Sequence, residues 1–391
     1  MKITALRIEN YRSIEDLSLQ FPTFYTAICG KNDSGKTNIL RALRVFSGED
    51  DYYYSNIEIS ISEDFPKWRD KDARNKLICI EVELAVHKVS DEGLYAFLSE
   101  YLKLHEEPEY LHFSISLKFV TDSAKPDIGL TLGSASFDAL KAEEVLKKLQ
   151  TTQWLLFHNS PEFPSRYRSR YVEGLLGDLS ASDAAQIDLL KKKLEKVAAR
   201  VAKQNQNEVS ELLGRLKDKY RIGLSAPPLD LNELPFSITV GTREAEIPLT
   251  SWGSGTQNRT RILMALFKAK RISEAAKSAA KVTPVIIIEE PESFLHPSAQ
   301  AEFGAILRDL AEELRVQTIV ATHSPYMLSL TEPKGNILLE RDHSRGSLRA
   351  TRRLDTSGEG WNLFPLRLVW TMNTSALGKT LFLVVLTACC L

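Results

Sequence analysis

The sequence predicts an α/β fold, with a sheet whose strands are separated in sequence by a helical insertion. Three observations predict it. Short apolar runs with strand character occur at both ends of the chain. The middle, residues 138–220, is rich in Lys, Glu, Ala and Leu. A glycine loop, "GKNDSGKT", stands between a strand pattern and a helix pattern.

The elements follow in order. "ITALRIENYRSIEDLSLQF", residues 3–21, alternates and then turns, giving two strands joined at Asn10–Ser13. "FYTAICG" is a third strand that ends in the glycine loop. "KTNILRALRVFSG" has helical spacing, with Ile39, Leu40, Leu43 and Phe46 on one face. "KLICIEVELAV" (76–86) and "HFSISLKFV" (112–120) are further strands. In "IDLLKKKLEKVAARVAKQ", residues Ile187, Leu190, Leu194, Val197 and Val201 recur at three- and four-residue steps. That stripe suits a helical hairpin or short coiled coil, either packed on its own domain or used as a dimerisation arm. "APPLDLNELP" (226–235) is a proline-marked linker. Strand-like "FSITVG" and "EIPL" follow, then a Gly/Ser turn and a long helix. A strand at 285–288, a helix near 298–314 and the strand "QTIVATHSP" complete the pattern. The implied domains are an N-terminal lobe (1–137), a helical insertion or dimerisation arm (138–225), a C-terminal lobe (226–345) and a tail (346–391).

Composition bounds the partners. The chain has 391 residues, 43% hydrophobic and 26% charged, which is ordinary for a globular protein. A net charge of -1 excludes a global attraction to nucleic acid, so any DNA contact needs a local basic patch. Cys29, Cys79, Cys389 and Cys390 have no metal or disulfide spacing, and a reduced cytoplasmic setting is expected. The apolar tail "LFLVVLTACCL" is shorter than the roughly 20 residues of a membrane span, so no membrane partner is expected.

Four motifs carry chemistry. Gly30 to Thr37 fits G-x-x-x-x-G-K-[ST] in the strand–loop–helix setting that this pattern requires. Gly30 and Gly35 let backbone amides point at phosphate oxygens. The helix start near Lys36 adds partial positive charge. Lys36 would reach the β- and γ-phosphates and Thr37 would ligate Mg²⁺. The second motif is "VIIIEEPESFLHP", where a buried apolar strand runs into acids. Unpaired acids are costly there, so a cation is expected. Glu289 would be the metal-side acid and Glu290 the general base. Glu292 lies on the surface or in a hydrogen-bonded loop, or joins an acidic cluster at a helix N-terminus. The third motif is "ATHSP", with His323 at a strand end where it faces a γ-phosphate or the attacking water. The fourth is "SWGSGTQ", where Gly253, Ser254 and Gly255 precede a helix. This second phosphate-facing surface would complete the site of another copy.

This order of motifs resembles ABC-type ATPases, and more narrowly the branch containing SMC proteins, RecF and the OLD (overcoming lysogenization defect) family. "LRIENYRSIEDLSLQF" is similar to the opening of that branch, which implies that Arg12 lies near the nucleotide. "GKNDSGKTNIL" resembles its Walker A, with Asn32, Ser34 and Asn38 included. "GSGTQ" resembles its signature, "IIIEEPESFLHP" its Walker B and D-loop, and "THSP" its switch-histidine motif. The resemblance implies a P-loop ABC-type ATPase head with a coiled-coil-like insertion. It also implies a homodimer closed around two ATP molecules with Mg²⁺, each lying between Lys36, Thr37, Glu289, Glu290 and His323 of one copy and Ser254 and Gly255 of the other.

OLD nucleases continue into a Toprim domain. "GKTLFLVVLTACCL" begins like its first strand, yet no acid follows Glu359, so nuclease activity is not expected from this chain alone. A natural ATPase-only subunit and an OLD-like protein altered at its end both remain open. The implied roles are an ATPase controlling a nuclease or toxin effector in trans, in phage defence; a RecF-like repair ATPase; or an ATP-dependent scaffold. DNA binding has three candidate patches: "SRYRSRY" (165–171) with Trp154 upstream, Lys191–Lys193, and Arg259–Arg271. Each patch alone reads more readily as a solvated helix face or as part of inter-subunit salt bridges.

Overall fold

A computed structural model of the chain describes residues 1–30, 34–47, 59–67, 76–120, 125–159, 239–242, 245–248, 251–274, 281–341 and 348–353, with helical turns within 185–200. In chain order the elements are β1 (Lys2–Tyr11), β2 (Ile14–Gln20), β3 (Tyr25–Gly30), α1 (Lys36–Arg44), α2 (Ile61–Asp64), β4 (Ile78–His87), α3 (Glu92–Tyr101), β5 (Tyr110–Phe119), β6 (Asp127–Leu132) and β7 (Ala135–Phe137). Then come α4 (Ala139–Thr151), β8 (Leu155–Asn159), β9 (Thr239–Thr242), β10 (Ala245–Pro248), α5 (Ser254–Glu274), β11 (Val285–Glu289), α6 (Pro297–Glu313), β12 (Thr318–Thr322), β13 (Asn336–Arg341) and β14 (Leu348–Arg353).

Twelve strands join in one sheet, in the order β7-β6-β5-β4-β1-β2-β14-β13-β3-β12-β11-β8. The first six are antiparallel neighbours. From β13 to β8 each strand is parallel to the next. At the seam, β14 is antiparallel to β13 and touches β2 in parallel through the single pair Leu348↔Ile14.

Burial separates the two parts. β5 alternates, with Leu111, Phe113, Ile115, Leu117 and Phe119 inside and the residues between them more exposed. That is the pattern of a sheet covered on one face. β3 and β12 are buried at every position, because helices cover both faces of the parallel strands. Val285 and Ile287 of β11 pack in one core cluster with Ile39 and Leu43 of α1. Ile286 and Ile288 pack in the opposite cluster with Ile262 and Leu266 of α5 and Phe303 and Leu307 of α6. The carboxyl ends of β3, β11 and β12 therefore open together between two helical layers, where parallel α/β sheets bind ligands.

The chain divides into two compact units, residues 1–160 with 253–391, and residues 161–252. This moves the boundaries expected from composition. The insertion was expected to start at 138, but α4 and β8 belong to the first unit, because β8 completes the parallel sheet against β11. The second lobe was expected from 226, but residues up to Trp252 group with the insertion, where β9 and β10 pair in a two-stranded sheet. A tail was expected from 346, but β14 is a sheet strand. In the insertion, Leu190, Leu194 and Val197 are exposed, while Ile187 and Val201 lie outside the described residues. The tail after 353, including the Toprim-like stretch, also lies outside them.

Candidate active site

β3 ends at Gly30 and α1 begins at Lys36. Gly35 caps the helix with φ 90°, a left-handed conformation that glycine adopts without a Cβ penalty. The first turn of α1 is thereby bent back over the strand end. Lys36 is only 6% exposed; its Nζ donates to the Gly30 carbonyl at 3.0 Å and lies 3.4 Å from His323 Nδ1. Burial pushes the Lys36 ammonium down to about 8, against the pull of Glu290, Glu292 and Glu289. The Thr37 hydroxyl donates to Glu289 Oε1 at 2.6 Å, so the start of α1 and the end of β11 meet through two oxygens.

Glu290 follows β11 with φ 49°, in the left-handed region that a residue with a Cβ seldom occupies. Its amide still donates to the Ala321 carbonyl at 2.8 Å, and the turn carries its carboxylate to 3.6 Å from His323 Nε2. Burial and the nearby Lys36 hold His323 below the usual imidazole range, so the ring is neutral at neutral pH. A lysine ammonium only donates, so His323 Nδ1 accepts from it and the ring proton sits on Nε2, facing Glu290. Lys36, His323 and Glu290 thus form one polar chain.

Other predicted residues are placed around this centre. Asn38 Nδ2 donates to Ser13 Oγ at 2.9 Å, which ties α1 to the β1–β2 turn. Arg12, in that turn with φ 51°, pairs through Nε with Asp64 Oδ1 at 2.6 Å. The Ser34 hydroxyl is buried with no hydrogen-bond partner among the described residues. Asn32 lies outside those residues. Gly253 and Ser254 are exposed at the start of α5, and a Cβ on Gly253 would meet nothing. A Cβ on Gly255 would fall 2.6 Å from the Phe294 carbonyl, so glycine is required for α5 to start against the turn after Glu290. Ser254 makes no hydrogen bond to Lys36, Thr37 or the acids among the described residues.

These features suit a bound triphosphate. The helix start at Lys36, the Ser34 hydroxyl with no partner among the described residues and the paired Thr37 and Glu289 oxygens form a donor set for phosphate and a hard cation. Comparison with known proteins agrees: a family model described as an AAA ATPase domain matches residues 1–165 and 178–328. The chain belongs to the AAA ATPase domain family.

As a member of that family the chain binds nucleotide and hydrolyses ATP. It is 25% identical over 358 residues to the OLD nuclease of Thermus scotoductus, a match covering 86% of this chain and 62% of that protein. It is 31% identical over 137 residues to the DNA replication and repair protein RecF of Bacillus cytotoxicus, covering 34% of each. The chain thus spans less than two thirds of the length of these relatives. Among solved structures, an Smc head domain with an extended coiled coil derived from Pyrococcus furiosus aligns with TM-score 0.48 and 14% identity, over 93% of this chain and 99% of that one. The relatives agree with the resemblance read from the order of the motifs.

Three contacts of this ATPase escape a reading of the sequence. His158, at the end of β8, is buried, and Nε2 donates to Asn258 Oδ1 at 3.1 Å. Burial drives its ring down to about 4, so it is neutral. Asn258 of α5 in turn donates to the Pro291 carbonyl at 3.4 Å, which joins α5 to the turn after Glu290. The run "LLFHN" is too short to carry a clear period, and nothing in the sequence marked His158 or Asn258. Glu292 is not on the surface but in a hydrogen-bonded turn, the alternative expected for it, where Oε1 accepts from Thr322, His323 and Ser324. Trp154 has no exposure and donates Nε1 to the Phe46 carbonyl at 3.3 Å, so it is a core residue and stacks on no base. "SRYRSRY" and Lys191 lie outside the described residues. Within the Arg259–Arg271 run, Arg261 donates to Gln257 at 2.9 Å and Lys270 pairs with Glu274 at 3.9 Å.

Proposed function

We propose that ATP is hydrolysed where β3, β11 and β12 end, and that two copies close around the nucleotide. The observation that carries this reading is the convergence of Lys36, His323 and Glu290 in one polar chain beside the Thr37–Glu289 pair. Lys36 binds the β- and γ-phosphates, with Ser34 and the amides of the Gly30–Gly35 loop as further donors. Thr37 and Glu289 would hold Mg²⁺, which would neutralise phosphate charge. Glu290 takes the proton of a water that attacks the γ-phosphorus. The bond to the β–γ bridging oxygen breaks, giving ADP and phosphate. His323, with its proton on Nε2, orients that water and the Glu290 carboxylate. Arg12, held by Asp64, faces the nucleotide from the β1–β2 turn.

The second copy supplies Gly253, Ser254 and Gly255. Support comes from the exposure of Gly253 and Ser254 and from the lack of any bond between Ser254 and its own chain's acids among the described residues. The relatives named OLD nuclease and DNA replication and repair protein RecF favour a nucleic-acid-directed role. In our reading the ATPase cycle controls a nuclease or toxin effector in trans, in phage defence. A cytoplasmic setting fits the free thiols of Cys29 and Cys79, and among the described residues no helix is long and apolar enough to cross a membrane.

Glu290→Gln tests the reading. It should lower kcat by about 10²–10⁴-fold while ATP binding persists, because it removes only the proton acceptor. ATP should then hold the protein as a dimer in light scattering. Unchanged turnover would refute the role of Glu290, and loss of ATP binding would show that Glu290 acts on the nucleotide itself.

A further inference from the structure

Glu292 is a half-buried acid, with one carboxylate oxygen fully buried, to which the mechanism above gives no task. It lies two residues after Glu290, on the turn that leaves β11. Its Oε1 accepts from the Thr322 hydroxyl at 2.7 Å, the His323 amide at 2.6 Å and the Ser324 amide at 3.2 Å. All three donors belong to the end of β12 and the turn that leaves it. Its Oε2 is buried and has no partner among the described residues. A carboxylate is seldom buried to brace a loop, because the uncompensated oxygen costs free energy. Its presence here needs a reason beyond packing.

The geometry points to Glu292 as the positioning residue for His323. β11 and β12 are parallel neighbours, paired through Ile288↔Val320 and Glu289↔Ala321. Backbone pairing fixes their height but not the two turns beyond. Glu290 stands on one turn and His323 on the other, and Glu292 joins them. Ser324, whose amide is part of the clamp, gives its hydroxyl to Gln300 Oε1 at 2.6 Å, and Gln300 Nε2 donates to the Leu295 carbonyl at 2.9 Å. The switch turn is thus held from α6 as well. The clamp fixes the His323 backbone, and so the ring, between Lys36 Nζ and Glu290. Burial raises the Glu292 carboxyl above its usual range, while hydrogen bonds from Thr322, the His323 amide and its own amide pull it back, which is the balance of a carboxylate kept for its donors.

This inference rests on the role proposed for His323, so the test separates the two. In the full-length protein, Glu292→Ala should lower kcat by roughly 10–100-fold with KM for ATP changed less than about threefold, the scale of a misplaced catalytic group. Glu292→Gln keeps an acceptor oxygen of the same reach and should restore most of the rate, to within about fivefold, since a neutral acceptor binds donors less strongly than a carboxylate. In a His323→Ala background, Glu292→Ala should cost less than about threefold more, because residues acting through one another are not additive. Additive losses in this cycle would overturn the positioning role, as would equal loss of ATP affinity and rate. If Glu292→Ala does not fold, as judged by thermal unfolding, the same cycle with Glu292→Met, which keeps the side-chain volume and removes the acceptor, decides by the same criteria. If His323→Ala alone leaves kcat unchanged, the role of His323 fails and this inference falls with it.

Discussion

The antiparallel and parallel parts of the sheet differ in what their strands can carry. Along β4, Ile78, Ile80, Val82 and Leu84 face inward, while Cys79, Glu81 and Glu83 between them are partly exposed. Along β11, four apolar residues in succession are buried, and polarity begins only at Glu289. The antiparallel flank therefore places polar groups along its length, and β11 places its charged group only at the carboxyl end. Lys36, Glu289, Glu290, Glu292 and His323 are all found at or just beyond those ends. The flank contributes at its turns, through Arg12 and Ser13.

If that contrast is right, substitutions should divide accordingly. The largest effect is expected from Lys36→Met, which should abolish measurable ATP binding and turnover while the unfolding transition persists; retained binding would show that the loop does not hold the phosphates. Next is Ile287→Ala. It should cost about 2–5 kcal/mol of stability in denaturant unfolding, because both faces of β11 are covered and a cavity would remain. Lys118→Thr, on an exposed position of β5, should stay within about 0.5 kcal/mol in the same assay. Equal costs would remove the distinction between the two parts.

A finer effect concerns pH. The Lys36 ammonium is depressed to about 8 in the free protein, so it is charged below that pH and neutral above it. A bound phosphate favours the charged form, so binding above pH 8 must take up a proton. ATP affinity should therefore fall as pH rises past 8, by up to about tenfold per unit, and be flat below, for this one group. A titration of KM with no break between pH 7 and 9 would contradict the burial of this lysine.

Legibility followed the same division. The strand ending in "EEPE" was readable because an apolar run meeting acids has few physical explanations. The helix after the glycine loop was readable because Ile39, Leu40, Leu43 and Phe46 repeat with helical period, and all four are buried. β8 and β14 were less legible. Five residues, "LLFHN", carry little period, and "LRATRR" has the polar look of a tail. Both take their strand character from partners far away in sequence, β11 for one and β13 for the other. Trp154 shows the reverse error: an aromatic near a basic run looked like a surface for bases, but it is in the core.

By itself the sequence determined the chemistry available: a phosphate loop with its lysine and threonine, paired acids at a strand end, and a histidine after the next strand. These are local, because each needs only a few neighbouring residues to set backbone and charge. Tertiary structure alone decided how they meet. Which strands lie side by side, that Glu292 reaches across to the His323 turn, and that His158 and Asn258 tie α5 to the catalytic turn depend on pairings and burial between distant segments. Such contacts have no short-range period, so the free energy that selects them belongs to the folded sheet and not to any one stretch of chain.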